Sequence, residues 1–322
     1  MVCATFPLIF VGGLVTTYQA GMAVPDWPST YGYNLFLYPW ATWWSGPFDL
    51  FVEHGHRLLG AAVGLLALLT AGLVWRYDSR RSARSLSLLA VALVIFQGGL
   101  GGARVLLDDY LLARIHGCTA PLFFALATAL CVILSPAWRK RSSDAPSAWS
   151  IQLAVLAPAL AGLIYGQIVL GACLRHATPW SLPQTIQAFV WFHLLMAAAT
   201  TLGACLLLAN VWRQPGRTPW ESRPALWLPV LFVAQIVLGS ATWVVQFGYP
   251  DFLKGLPGAE SYVVQAESLL QSIVTTAHVA MGSLLLAVSV TAAMRVCRAV
   301  YLAQGGLLRP APRVGHRGEV PA

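Results

Sequence analysis

Charge is scarce in this chain. Asp, Glu, Lys and Arg make up only 10% of its 322 residues, against about 25% in an ordinary soluble domain. Acid is scarcer than base, with 12 carboxylates against 20 lysines and arginines. Hydrophobic residues reach 57%, which excludes a soluble globular domain and indicates a membrane protein. The strict apolar–polar alternation of a transmembrane barrel is absent. Cysteine is sparse too, and its six positions make no disulfide framework. Cys118, Cys131, Cys173 and Cys205 lie inside or at the rim of apolar stretches, while Cys3 and Cys297 fall on the side where thiols stay reduced.

What the chain has is long apolar runs. Eight of them, near 1–18, 50–75, 85–106, 109–135, 149–173, 185–211, 224–247 and 266–294, can cross a hydrocarbon layer of about 30 Å. Without water to satisfy the backbone, each must be a helix. The expected fold is therefore an all-α membrane protein, with eight transmembrane helices forming two pseudo-symmetric four-helix bundles. Residues 1–145 make the first half. Residues 146–322 make the second, with a disordered cytoplasmic tail from about residue 305.

The net charge of +8 would suit nucleic acid, but its distribution excludes that partner. Arg76, Arg80, Arg81 and Arg84 share one connection. Arg139, Lys140 and Arg141 share another, and Arg213, Arg217 and Arg223 a third. The tail adds Arg295, Arg298, Arg309, Arg313 and Arg317, so alternate connections hold fifteen of the twenty basic residues. This is the positive-inside pattern of the cell inner (cytoplasmic) membrane, with both termini cytoplasmic. The opposite side is poor in Lys and Arg but carries Pro25-Asp26-Trp27-Pro28 and the cluster Trp40, Trp43, Trp44, rings suited to the headgroup level. Residues 1–18 are expected to be a retained span rather than a signal peptide. They lack a basic leading segment, and Gly12-Gly13 interrupts the apolar run.

The odd-numbered spans share a motif that the even ones lack. It reads Gln97-Gly98-Gly99-Leu100-Gly101 in span three, Gln167-Ile168-Val169-Leu170-Gly171 in span five and Gln235-Ile236-Val237-Leu238-Gly239 in span seven. Span one has a weaker relative, Val11-Gly12-Gly13-Leu14. Spans 1–4 and 5–8 therefore read as two copies of one unit with parallel topology. The small residues permit close helix contact, and a membrane glutamine hydrogen-bonds across it.

The even-numbered spans each carry one deep histidine: His56, His116, His193 and His278, all roughly seven to ten residues from the outer end. Buried imidazoles in a bilayer are costly unless something holds them. Each is followed four residues later by a small residue, Gly60, Ala120, Ala197 or Gly282, on the same helix face. No helix offers two ligands at i, i+4, which disfavours a compact zinc site. Histidines paired across neighbouring helices suit axial ligation of haem, so the four are read as ligands of two bis-histidine haem irons. No Cys-x-x-Cys-His occurs, which excludes covalent c-type attachment. Arg57, Arg104, Arg114 and Arg175 lie near the outer helix ends, where haem propionates would emerge and arginine would pair with them. The cluster Glu53-His54-Gly55-His56-Arg57 adds a carboxylate at i, i+3 from His56, on a helix with Asp49 or Ser45 as its cap. A carboxylate there can move protons during an oxidation. His54 and His176 read as surface residues, and His316 as part of the disordered tail.

Glu53–x–x–His56–Arg57, the segment Gly-Met-Ala-Val-Pro-Asp-Trp-Pro at 21–28, and the single histidines in spans four, six and eight closely resemble the haem A synthase family, over roughly residues 7–295. The resemblance implies an eight-helix oxidoreductase that converts the C8 methyl of haem O into a formyl group. It does so by two successive oxidations through a gem-diol that loses water. By this similarity His56 and His116 hold the substrate haem O; Arg57, from its place at the outer helix end, is read as a partner of the propionates. His193 and His278 ligate a haem b cofactor, with Arg175 beside it, and Glu53 is the catalytic acid/base. Implied partners are haem O, a haem O synthase, an electron partner that the sequence does not identify, and membrane lipid. The chain departs from many bacterial members in having no cysteine pair in 19–52, and in having Leu194 where an arginine often follows the third histidine.

Two other functions fit four buried histidines: a two-haem membrane cytochrome in quinol-linked electron transfer, and a haem transporter or chaperone. Neither needs Glu53 beside His56. A haem O synthase is disfavoured, since no Asp-rich diphosphate-binding motif occurs in a cytoplasmic connection.

Overall fold

The computed structural model describes residues 1–139, 149–177 and 181–304. Lys140, Arg141, the half boundary expected near 145, and the tail with Arg309, Arg313, His316 and Arg317 lie outside the described residues.

The regular secondary structure of the described residues is helical, apart from one isolated bridge between Thr30 and Tyr33. The helices are α1 (Val2–Thr17), α2 (Trp40–Trp44), α3 (Phe48–Tyr77), α4 (Arg81–Leu107), α5 (Tyr110–Leu134), α6 (Pro136–Arg139), α7 (Leu153–Arg175), α8 (Pro183–Trp212), α9 (Pro219–Phe247) and α10 (Leu269–Ala303). Among them α3, α4, α5, α7, α8, α9 and α10 are long and apolar enough to cross a membrane, so the chain is a multi-pass membrane protein. The first expected span is the 16-residue α1, about 24 Å long at 1.5 Å per residue. It falls short of the length of the other seven.

Local chemistry sets the ends. The Asp109 carboxylate accepts the Leu112 N–H to start α5, and the Ser268 hydroxyl accepts that of Gln271 to start α10. Thr218 and Glu221 form a reciprocal capping box at α9. Helix α3 differs from expectation. Pro47 precedes its first residue with no side-chain cap, Asp49 sits within the first turn, and Ser45 closes α2 instead. The Pro47 nitrogen carries no hydrogen, and within the first turn the Asp49 carboxylate accepts the Leu50 N–H at 2.8 Å.

Helices α1, α3, α4 and α5 contact one another in a closed ring, and α7, α8, α9 and α10 do the same. The rings meet where α10 packs on α1 and α5, and where α5 packs on α7. Helix α10 is the most enclosed element. It buries Leu285, Leu286, Val296 and Val300 against Leu160, Leu207, Leu228 and Phe232 of the other helices. Outward positions such as Leu65, Leu68, Leu69, Ile95 and Val233 are exposed leucines, isoleucine and valine, as a lipid-facing surface requires.

Candidate functional site

The loop after α1 folds back onto the outer end of α3. Asp26 accepts from the backbone N–H of Tyr31 (2.8 Å) and Gly32 (2.8 Å) and from the Ser29 hydroxyl (2.5 Å). Burial raises the Asp26 carboxyl, but these three donors outweigh it and leave the group below its ordinary value. Arg57 then clamps the loop from beneath. Its Nη1 donates to the Asp26 and Ser29 carbonyls, at 2.6 and 2.9 Å, and its Nη2 to the Val24 carbonyl at 2.7 Å. The rest of its fork meets Glu53 Oε1, from Nε at 3.1 Å and from Nη2 at 3.0 Å. All five N–H groups of Arg57 are engaged, so the propionate contact expected of it has no donor left in this arrangement. Glu53 is 4% exposed, and its Oε2 is buried without a partner.

His54 corrects the reading of a surface residue. It is 2% exposed, with Nδ1 3.0 Å from the Thr30 hydroxyl and its ring packed by Tyr38 and Trp43. The partners come from the returning loop, so the α3 sequence alone carries no sign of them. Trp43 turns inward, stacking on Phe51 and donating to its carbonyl, whereas Trp40 and Trp44 stay exposed.

The four membrane histidines form two pairs. His56 of α3 and His116 of α5 have ring centres 6.4 Å apart, and His193 of α8 and His278 of α10 are also 6.4 Å apart. A metal binds an imidazole nitrogen at about 2 Å, and the ring centre lies roughly 1 Å behind it, so two axial imidazoles on one iron have centres roughly 6 Å apart. Both pairs have that separation.

The glycine motif explains how the rings are seated. A Cβ on Gly12 would come within 2.6 Å of His56 Cε1; on Gly101, within 3.1 Å of His116 Cε1. On Gly171 it would lie 3.2 Å from His193 Cε1, and on Gly239, 3.0 Å from His278 Cε1. Each imidazole thus sits with Cε1 against a bare glycine patch of a neighbouring odd-numbered span. The glutamine four residues earlier holds the histidine's own helix. Gln97 Nε2 donates to the His116 carbonyl at 2.8 Å, and Gln167 Nε2 to the His193 carbonyl at 2.9 Å. Gln235 differs, lying 3.5 Å from His278 Nε2. His116 Nδ1 is 3.2 Å from the Gln97 carbonyl. With Nδ1 donating there, Nε2 keeps the lone pair a metal needs. The sequence showed the recurrence of this motif; the glycines' role as histidine seats appears only once the helices are paired.

The remaining arginines gather where the rings meet. Arg175 donates from Nη2 to the Gly13 carbonyl (2.6 Å) and to the Thr17 hydroxyl of α1, and its Nε is buried without a partner. Arg114 donates to the His176 carbonyl at 3.0 Å. Arg104 lies against Gly21, at a spot a Cβ would overlap. His176 is half-buried there instead of on the surface, 3.5 Å from where a Cβ on Gly117 would stand. Burial, then the charges of Arg175 and Arg114, push its imidazole down to about 4.

The residues fit an iron porphyrin on two counts. The imidazole spacing is right in both pairs, and beside His56 the added Cβ of Gly60 meets nothing within 4 Å.

A family model described as cytochrome oxidase assembly protein matches residues 1–181. A protein named Heme A synthase from Brucella ovis is 32% identical over 130 residues, 39% of this chain and 35% of that protein. One of the same name from Shouchella clausii is 32% identical over 126 residues, 38% of this chain and 40% of that protein. The aligned stretch thus spans well under half the length of these curated relatives. No solved structure matches the chain. Since the family model covers more than half of its length, the chain belongs to the cytochrome oxidase assembly protein family.

Proposed function

We propose that this protein is a haem A synthase of the cell inner membrane, oxidising the C8 methyl of haem O to a formyl group by way of a gem-diol. The relatives named Heme A synthase support the activity. The observation that carries the reading is the placement of Glu53 one turn before His56, with a buried, unpartnered oxygen. In this proposal the eight apolar helices all span, with both termini cytoplasmic. They form two related halves, 1–145 for the substrate and 146–322 for the cofactor.

His56 and His116 hold haem O in the first half. Gly12 and Gly101 fix the tilt of the two rings, so the macrocycle between them has one seat. Glu53 accepts a proton at Oε2 as each oxidation removes one from the substrate. Arg57 anchors Oε1 and so orients the carboxylate, acting as a positioning residue instead of a propionate ligand. The loop over Glu53, tied down through Val24, Asp26 and Ser29, keeps bulk water from the reacting carbon. His193 and His278 hold haem b in the second half, with the Nε of Arg175 as a donor for a propionate. When bound, haem b supplies one-electron chemistry that links the oxidation to an external partner.

Co-expression with a haem O synthase, in a host that makes no haem A, tests the proposal. Extracted pigment should contain haem A. Recovery of haem O and haem B alone from folded, haem-loaded protein overturns it and leaves the two-haem cytochrome as the better reading.

A further inference from the structure

A cavity lies at the helix ends remote from the histidine pairs. His56 and Tyr77 are 21 residues apart on α3, so the two sites are separated by about 30 Å. This cleft of about 800 Å³ opens between the α3–α4 turn, α6 and the last turns of α10. It draws on both helix rings.

Its charge is unbalanced. Arg80, Arg139 and Arg298 line it against one carboxylate, Asp78. Asp78 accepts from Arg80 at 2.6 Å and from Arg139 at 3.1 Å, and its side chain is only 8% exposed. The hydrogen bond from Arg80 holds the Asp78 carboxyl well below the usual carboxylate range. Arg80 also donates to the Ile133 carbonyl (3.1 Å), and Arg298 to the Trp138 carbonyl (2.9 Å). These contacts fix the guanidiniums in place; among the described residues Asp78 compensates one positive charge and Glu221 bears on Arg298 from outside the lining, which still leaves the cleft net positive. The side chains of Arg80 and Arg139 remain 33% and 55% exposed, so the surplus charge sits at the mouth.

The walls are amphipathic. Tyr77 and Tyr301 stand exposed at the rim, and Met294 and Leu302 line the interior. Just toward the apolar body of the helix, on the face shared with Tyr77, α3 exposes Leu73. A small soluble anion would use the arginines but not this apolar flank. A phosphodiester carrying acyl chains would use both, and basic pockets between helices at a membrane surface have that ligand chemistry.

We propose that this cleft binds the headgroup of an anionic phospholipid, its phosphodiester pairing with Arg80, Arg139 and Arg298 and its chains running along the exposed face of α3. A lipid seated there touches α3, α6 and α10 at once, and so ties the two rings together on the face remote from the histidines.

The test uses the full chain in a neutral detergent. Native mass spectrometry and thermal denaturation are followed with added dioleoylphosphatidylglycerol, dioleoylphosphatidylcholine or soluble glycerol phosphate. Phosphatidylglycerol should be retained at one site and raise the melting temperature, and phosphatidylcholine should bind at least about tenfold more weakly. The double variant Arg80→Gln, Arg298→Gln should lower phosphatidylglycerol affinity by roughly tenfold or more. Ser79→Trp, which fills the mouth from an exposed position, should do the same without removing charge. It keeps the test open if the arginine variant does not fold. Equal retention of the two lipids, undiminished binding in Ser79→Trp, or glycerol phosphate binding as tightly as the lipid would each overturn the assignment.

Discussion

Glu53 and Arg57, one turn apart on α3, meet through a single carboxylate oxygen. Both Nε and Nη2 of Arg57 donate to Glu53 Oε1, at 3.1 and 3.0 Å, and Oε2 has no partner. An anchored, half-saturated carboxylate suits a group that must take a proton without swinging away. Glu53→Ala should therefore leave haem bound, by absorption spectrum, while formyl formation falls by about 10²-fold or more. Normal turnover in that variant would remove Glu53 from the chemistry.

Arg57 is the fastener of the outer loop. Arg57→Lys keeps the charge but cannot reach three backbone carbonyls and a carboxylate together. Hydrogen exchange at residues 24–33 should accelerate by at least tenfold, since charge-assisted hydrogen bonds contribute about 1.5–3 kcal/mol each. Unchanged protection there would show that the clamp is dispensable.

Glycine substitutions separate seats from spacers. Gly239→Ala places a methyl 3.0 Å from His278 Cε1, whereas at Gly98 a Cβ meets nothing within 4 Å. Gly239→Ala should weaken or shift the bis-histidine spectrum of the second half, and Gly98→Ala should leave both halves as they are. Identical spectra from the two variants would contradict the seating role.

Removing a ligand should affect one half only. His278→Ala should abolish the haem b signal and retain haem O bound between His56 and His116. A bis-histidine spectrum surviving in the second half would exclude His278 as a ligand.

Asp78 makes stability depend on acid. Its folded carboxyl titrates below the ordinary value of about 3.9, because Arg80 donates to the charged form. The stabilisation is fully present above pH 4 and is lost as pH falls below it toward the folded value. The melting temperature of the wild-type protein should drop more steeply between pH 5 and 3 than that of Asp78→Asn. Parallel curves would show that the Asp78–Arg80 contact adds no stability.

The helices were legible because an apolar run of about 20 residues has few alternatives in lipid. All eight expected runs correspond to helices, although α1 is shorter than the rest and α10 runs on to Ala303. The histidine pairing was legible in outline, since one polar group per even-numbered span must find company. His54 was not legible. Its burial depends on Thr30 and Tyr38, which a loop delivers from more than fifteen residues away, and no periodicity within α3 encodes that return. The loop contacts of Arg57 were hidden for the same reason. Position at an outer helix end suggested a free cation, but loop carbonyls, which carry no side-chain signal, take up its donors. Gly12 lay in plain sight as a weak relative of a repeated motif, yet its purpose depends on which helix lies opposite.

Helix α10 touches α9, α7, α1 and α5, and it is the last of the described helices to leave the ribosome. Helices α1 and α5 therefore keep one flank unclaimed until α10 has been synthesised. Nascent chains stalled before residue 269 lack the helix that joins the two rings, and membrane quality control should recognise them as unfinished.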